Sequence, residues 1–400
     1  MEMTPKSRLI STIRRERTDR LSVAPRHYDP AFLIQSMELP GDLEYFMLDS
    51  ARPELLRVGL PTHKVSVEAT LNLAEKLGFD PVFFKGIRLG LPPGVSEEHS
   101  HENRGELTLI TSVYDTPAGQ LRKTERQYRE ERLRRDASHG ASPDRSQEHL
   151  IKEPADLERL AFLTDHTEPR DLIAADFEET VNLVGDRGLV FAEVPHPMML
   201  AVEFYGFENF LMSMVTAPEF ARDLLDVCNR ETMGHIRTVL DMGAEVIYLD
   251  GVFSTPSLIA PTHFDQFLSP LIDQYVSLLH PQQALLHLFV DGKCLDVLGI
   301  LRDLQVDMVS PMDPPPWGDA DMGHVKKVVG EQLCYMGGIN APVDLVQQSR
   351  DDIVRMVQNL VEKAPDRGFI LSTADSVQVD TPVENYLAMI ETALACGDRD

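Results

Sequence analysis

Six short apolar runs in the second half of the chain each end on a group able to hold a proton or a cation. Glu193 and His196 stand at the end of GLVFAEV, Asp250 closes AEVIYLD, and Asp291 follows ALLHLFV. Asp313 follows VDMVSPM, Asn340 follows LCYMGGI, and Asp375 follows GFILST. Near the N-terminus, Arg26 and His27 follow RLSVAP. Carboxylates that converge on one place raise one another's pKa or share a cation, so this set suits proton transfer or metal binding. Any single Asp is better explained as the N-cap of the helix after it; the set argues for chemistry. We expect Asp291, Asp375 and Asp250 to be catalytic, with Arg26, His27, Glu193, His196 and Asn340 contacting the substrate. In LHLFVDGKCLDVL, period two places His287, Phe289 and Asp291 on one side of a strand. The expected metal ligands are His287, Asp291 and Asp375, and Cys294 is expected to pack in the following helix.

Those residues need a scaffold that gathers strand ends. The runs at 188–194, 244–250, 284–290, 306–312, 333–339 and 368–373 alternate with helical patterns, and 20–25 and 81–84 supply two more upstream. Near-continuous apolar strands alternating with helices indicate a parallel sheet covered on both faces. Eight such strands close a barrel, so the expected fold is α/β, a single (β/α)8 TIM barrel spanning 1–400. No glycine-rich turn follows the first strand, which argues against a dinucleotide-binding open sheet. In TAPEFARDLLDVCNRETMGHIRTVLDMG, Phe220, Leu224, Val227 and Cys228 share one helical face. Thr216 and Glu219 form a predicted capping box around Pro218, and Gly243 ends the helix.

Residues 95–150 break the rhythm as an insertion. ELTLITSVYDTPAGQLRKTERQ alternates like a hairpin turning at TPAG. The charged stretch after it, REERLRRDASHGASPDRSQEH, reads as an exposed loop. Its arginines are the one locally basic feature, best explained as a solvated face. The whole chain carries 38 Lys and Arg against 64 Asp and Glu, a formal charge of −26. That field opposes nucleic acid and anionic membranes, so neither is an expected partner. Four dispersed cysteines make no disulfide framework. There is no apolar run long enough to span a bilayer and no secretory leader, and a cytoplasmic location is expected.

Several segments together resemble the uroporphyrinogen decarboxylase superfamily. They are TPKSRLISTIRRERTDRLSV, HLIKEPADLERL, EFYGFENFLMSMVTAPE, GAEVIYLDGVFSTPSLIAPTHFDQFLSPLIDQYVSLLH, GGINAPVDLVQQSRDDIVRMVQNLVE and DTPVENYLAMIETAL. The resemblance spans nearly the whole chain and implies a (β/α)8 barrel. The family has a decarboxylase branch, which removes carboxyls from a tetrapyrrole without a cofactor. It also has a methyltransferase branch working with methylcorrinoid proteins, including methylcobamide:coenzyme M methyltransferases. There a zinc ion held by a His-x-Cys motif and a distant Cys activates a thiol. The TP-G-LR hairpin and GFENF look closer to the second branch, and the decarboxylase's RQAGRY is replaced by APRHYDPAF.

The resemblance also exposes departures. Aligned on Asp291-Gly292, Phe289 takes the place of the zinc histidine and Asp291 that of its cysteine. Aligned on His287, the histidine is kept and Phe289 replaces the cysteine. Asp375 stands where the second cysteine belongs. Both thiolates are missing in either register, and oxygen ligands favour harder ions or none. The expected function is a methyltransferase acting on a small methylated substrate through a corrinoid carried on a partner protein, with a divalent metal such as zinc left open. The alternatives are a carboxy-lyase on a tetrapyrrole or small acid, and a non-catalytic corrinoid-binding barrel. Dimers are usual in the family, so a homodimer is a further expectation.

Overall fold

The computed structural model describes residues 2–26, 62–105, 107–128, 146–378 and 380–397. Barrel strands β1 (Ser22–Val23) and β2 (Val82–Gly86) come first. Six further strands lie outside the barrel: β3 (Arg88–Leu89), β4 (Ser96–Arg104), β5 (Leu107–Thr116), β6 (Gly119–Tyr128), β7 (Ser146–Glu148) and β8 (Leu172–Ala174). The barrel resumes with β9 (Leu189–Val194), β10 (Val246–Asp250), β11 (Leu285–Phe289), β12 (Met308–Ser310), β13 (Cys334–Ile339) and β14 (Phe369–Thr373). The parallel order is β1-β14-β13-β12-β11-β10-β9-β2, the circular order of a (β/α)8 barrel. Every strand expected from sequence is present. Between β1 and β2 the ring is joined by the Asp80 N–H donating to Val23 O at 2.7 Å.

Two apolar cores follow from the period of two. Outward residues such as Val190, Ala192, Ile247, Leu249, Leu286 and Leu288 pack under the helices. Inward residues, among them Val82, Phe191, Val246, Tyr248, Leu285, Met308 and Met336, fill the barrel as a separate cluster. Leu9 and Ile13 of helix Pro5–Ile13 join that cluster and so cork the end from which the strands start. Burying each such side chain contributes roughly 1.5–3 kcal/mol.

The inserted hairpin is real and larger than expected. β5 and β6 pair antiparallel from Leu107 with Tyr128 to Thr116 with Gly119, and β4 and β7 extend them to a four-stranded sheet. Of the charged stretch expected as a loop, residues 129–145 lie outside the described residues, as does His27, and Ser146–Glu148 form strand β7 instead. Helix Pro218–Asp241 forms as expected, but its N-cap is Ala217, which makes no side-chain cap bond. The predicted Thr216–Glu219 box is therefore corrected: Thr216 ends the preceding helix, Phe207–Thr216, and its hydroxyl donates to Met212 O at 2.9 Å.

At Gly337 the backbone runs at φ +146°, and a Cβ there would lie 1.6 Å from Pro311 O. Backbone cannot yield as a flexible side chain would. Gly337→Ala is expected to destabilise the barrel by roughly 1–3 kcal/mol, measured as a lower urea midpoint at unchanged slope.

Candidate active site at the barrel mouth

Strand alternation carries the site's polar groups to one end. Glu193 and Asp250 continue the inward rows of Phe191 and Tyr248, and Tyr248 is in register with both Glu193 and His287. Asp291, Asp313 and Asp375 stand on the loops just past β11, β12 and β14. Below them lies an aromatic layer. The His287 ring is 4.8 Å from Tyr248 and 5.1 Å from Phe191, and Phe84 is 4.7 Å from Tyr248. The Arg26 guanidinium, buried, lies 4.9 Å from the Phe84 ring and 5.1 Å from Phe289. Its backbone N–H donates to Thr373 Oγ1 at 3.0 Å and its Nη1 to Ala374 O at 3.2 Å. A cation held between two rings is desolvated and attracted by both faces.

The carboxylates divide into two groups. Asp291 and Asp313 are close enough to share a hydrogen bond when one of them is protonated, and both feel the charge of Asp375. Burial first, then the neighbouring Asp291 and Asp375, push the Asp313 carboxyl up to about 7, although the Gly292 N–H donates to its Oδ2 at 2.9 Å. Asp291 is also raised, by burial and Asp375, with Arg26 opposing. Two acids this close cannot both ionise cheaply, so the pair holds one proton near neutral pH. On the other wall, Glu193 has a solvent-accessible side chain yet is ringed by enough protein to be raised by desolvation and by Asp250, against Lys85 and Arg26. Asp250 is raised by burial and by Asp291, and its Oδ1 accepts from Val252 N at 3.3 Å.

The other expected site residues also have structural partners. His196 is buried, and its Nδ1 accepts from Met198 N at 3.1 Å as the N-cap of helix Pro197–Tyr205. Burial pushes its pKa down to about 3, so the ring stays neutral. Asn340 is likewise buried and caps the π-helix Ala341–Leu345 through Val343 N, and its own N–H donates to Asp344 Oδ2. His287 is fully buried, with Nε2 2.7 Å from Ser310 Oγ, and burial with Arg26 holds it well below the usual imidazole range. Four residues of extended strand, about 13 Å, separate it from Asp291, so the structure does not gather His287, Asp291 and Asp375 around one point. Among the described residues, only His166, Glu231 and His235 bring three such ligand atoms within 4.8 Å of one another.

A zinc–thiolate site does not fit the residues present. Cys294 is buried where helix Leu295–Asp303 begins, its thiol pushed up by burial. Cys334 is in the barrel interior and Cys228 under a helix. Of these only Cys294 lies near a mouth acid, Asp313, and burial keeps its thiol protonated. Sequence reasoning had placed Asp313 among the strand-end acids without choosing it. The signal was its place at the head of DPPPWGDAD, whose Asp319 reaches across to accept from Cys294 N at 2.9 Å and Leu295 N at 3.3 Å.

The molecule is thus a (β/α)8 barrel with an acid-lined mouth, the end at which such barrels place their chemistry. The uroporphyrinogen decarboxylase (URO-D) family model matches residues 139–395, and the chain belongs to that family. It is similar to methylcobamide:CoM methyltransferase MtaA from Methanosarcina barkeri, 24% identical over 194 residues, 48% of this chain and 54% of that protein. It is also similar to uroporphyrinogen decarboxylase 2, chloroplastic, from Oryza sativa subsp. japonica, 27% identical over 222 residues, 52% of this chain and 53% of that one. The chain spans about half the length of these curated relatives. Among solved structures, a methyltransferase from Methanosarcina mazei shares the fold with a TM-score of 0.60 at 17% identity, covering 98% of both chains. No helix among the described residues is long and apolar enough to cross a membrane.

Proposed function

We propose that the chain is a methyltransferase-like enzyme that removes a methyl group from a small methylated substrate, working with a corrinoid carried by a partner protein. The observation that carries this reading is the close placing of the Asp313 and Asp291 carboxyls at the barrel mouth, where the resemblance leads one to look for thiolates and where one proton shared by the two would serve. A thiolate site activates an acceptor sulfur; a shared proton assists a leaving atom instead. When docked, the corrinoid supplies the nucleophile that takes the methyl. The chain's own part is to seat the substrate at the mouth, above Arg26 and the aromatic layer it packs on, and to exclude water there. As the carbon–oxygen or carbon–nitrogen bond breaks, its electron pair stays on the substrate atom, and the proton of the Asp313–Asp291 pair passes to that atom. Asp375, accessible at the rim, adds the charge that keeps this proton on the pair.

The rim supports a docked partner. Leu172, Ile173, Leu258, Trp317 and Val383 are exposed, and all lie on segments that follow barrel strands. Exposed apolar groups of this kind are where a partner would dock. The test is demethylation of methylated ethers, amines and thioethers by purified protein with a reduced corrinoid. Product appearing with the parent and lost in Asp313→Asn supports the reading. Carboxyl loss from a tetrapyrrole, with no demethylation, would replace it by the decarboxylase reading.

A further inference from the structure

Away from the mouth, three side chains converge that the proposed reaction does not use. Glu231 and His235 lie four residues apart on helix Pro218–Asp241, a spacing that puts both on one face. His166, just beyond helix Asp156–Leu163, packs against that face with Nε2 3.0 Å from Glu231 Oε2, and Glu231 Oε1 lies 3.4 Å from His235 Nδ1. The side chains of His166, Glu231 and His235 are only 11%, 14% and 9% exposed. The approach is built into the sequence: a Cβ at position 234 would lie 2.2 Å from the His166 ring, so Gly234 is what admits the imidazole. Two imidazoles and one carboxylate are a donor set for a borderline divalent ion, zinc above all.

Arg170 now holds the centre of this cluster. Its Nη1 lies 2.6 Å from Glu231 Oε2 and 2.9 Å from His166 Nε2, while its Nε donates to Gly90 O at 2.6 Å. The two protons on Nη1 can serve the two acceptors, so both lone pairs already aim at one cationic point. A metal ion and this nitrogen exclude each other, because they use the same lone pairs. The bond to Gly90 lies outside the trio and keeps the side chain tethered when Nη1 withdraws.

We propose that His166, Glu231 and His235 form a site for a zinc-class divalent ion, with Arg170 as its tethered internal competitor. Bound there, the ion fastens the segment around 164–171 to the long helix. The site stands behind the mouth wall, since the neighbouring Thr232 hydroxyl donates to Pro195 O at 2.7 Å, next to His196. It is separate from the mouth acids, so it stands or falls independently of the proposed reaction.

The experiment is titration of the full chain with zinc by calorimetry and with cobalt(II) by visible absorption. The parent is compared with Arg170→Gln, Glu231→Gln, His235→Gln and Asp375→Asn, each checked for folding by circular dichroism. The expected result is one ion per chain, bound at least tenfold more tightly in Arg170→Gln and at least tenfold more weakly in Glu231→Gln and His235→Gln. Asp375→Asn should bind as the parent does. A folded Arg170→Gln that takes up no ion would overturn the proposal. So would binding lost in Asp375→Asn and retained in His235→Gln, which would place the ion at the mouth.

Discussion

Asp313→Asn is expected to cut turnover by about 10²–10⁴-fold, the range a positioned general acid contributes. The amide keeps the side chain's size and can still accept from Gly292 N, but it has no acidic proton to transfer. Asp291→Asn leaves Asp313 without its charged neighbour and should cost activity through a lowered Asp313 pKa. The two variants therefore differ in their pH profiles. With Asp313 pushed up to about 7, the parent is active while the pair holds its proton, and its rate falls as pH rises through about 7. In Asp291→Asn that limb moves to lower pH, whereas in Asp313→Asn the residual rate loses it. A residual rate in Asp313→Asn that still fell through the same pH would show that another group carries the proton.

The same pair has a stability signature with a definite sign. Asp313 has its folded pKa raised from 3.8 to about 7, so between these values the native state binds more protons than the unfolded chain. Stability should then fall as pH rises from about 4 to about 7. Asp313→Asn removes that slope and should melt higher than the parent above pH 7. A variant that gains stability while losing activity points to a functional strain, since substitutions at structural positions mostly destabilise.

Much of the barrel was legible because its strands are near-continuous apolar runs with acids close to their ends. That rule placed Glu193, Asp250, Asp291, Asp313 and Asp375 at one mouth without any coordinates. It could not say which acids touch. Asp291 and Asp313 lie on neighbouring strands, and their hydrogen bond depends on how two loops bend. Nor could it separate His196 and Asn340, which spend their acceptors on helix caps, from groups free to meet a substrate. The hydroxyl of Thr216 was similarly claimed by the helix before it rather than the one after. At the cluster of His166, Glu231 and His235, the spacing of Glu231 and His235 is visible on the helix. His166 is 65 residues from Glu231 and is joined to it only by folding.

Asp80→Ala is expected to cost about 3–5 kcal/mol, the price of breaking a buried ion pair from one side. Asp80 is fully buried just before β2, where the eight-stranded order passes from β1 to β2 without a strand-to-strand ladder. Its carboxylate reinforces the bond from its own N–H to Val23 O. Oδ1 accepts from Arg8 Nη1 at 2.5 Å and from Arg20 Nη2 at 2.9 Å, and Oδ2 from Arg20 Nη1 at 3.0 Å and Val23 N at 3.2 Å. Removing it takes the charged partner from two guanidiniums and the acceptor from an amide in one step, although Arg20 keeps its bonds to Leu21 O and Gly78 O. Arg8 retains Asp19, to which its Nε donates at 2.6 Å, but the 5% exposure of its side chain leaves little water to replace Asp80. Asp80→Asn keeps the Val23 bond while losing the charge, so it should fall between parent and Ala. Urea unfolding of the three proteins gives the order, and hydrogen exchange at Val23 and Asp80 locates the damage. A loss below about 1 kcal/mol in Asp80→Ala, or protection unchanged at those amides, would mean that helix packing alone closes the barrel. The expected loss makes this pair of arginines the seam's fastening, and it explains why a strand of only two residues suffices at β1.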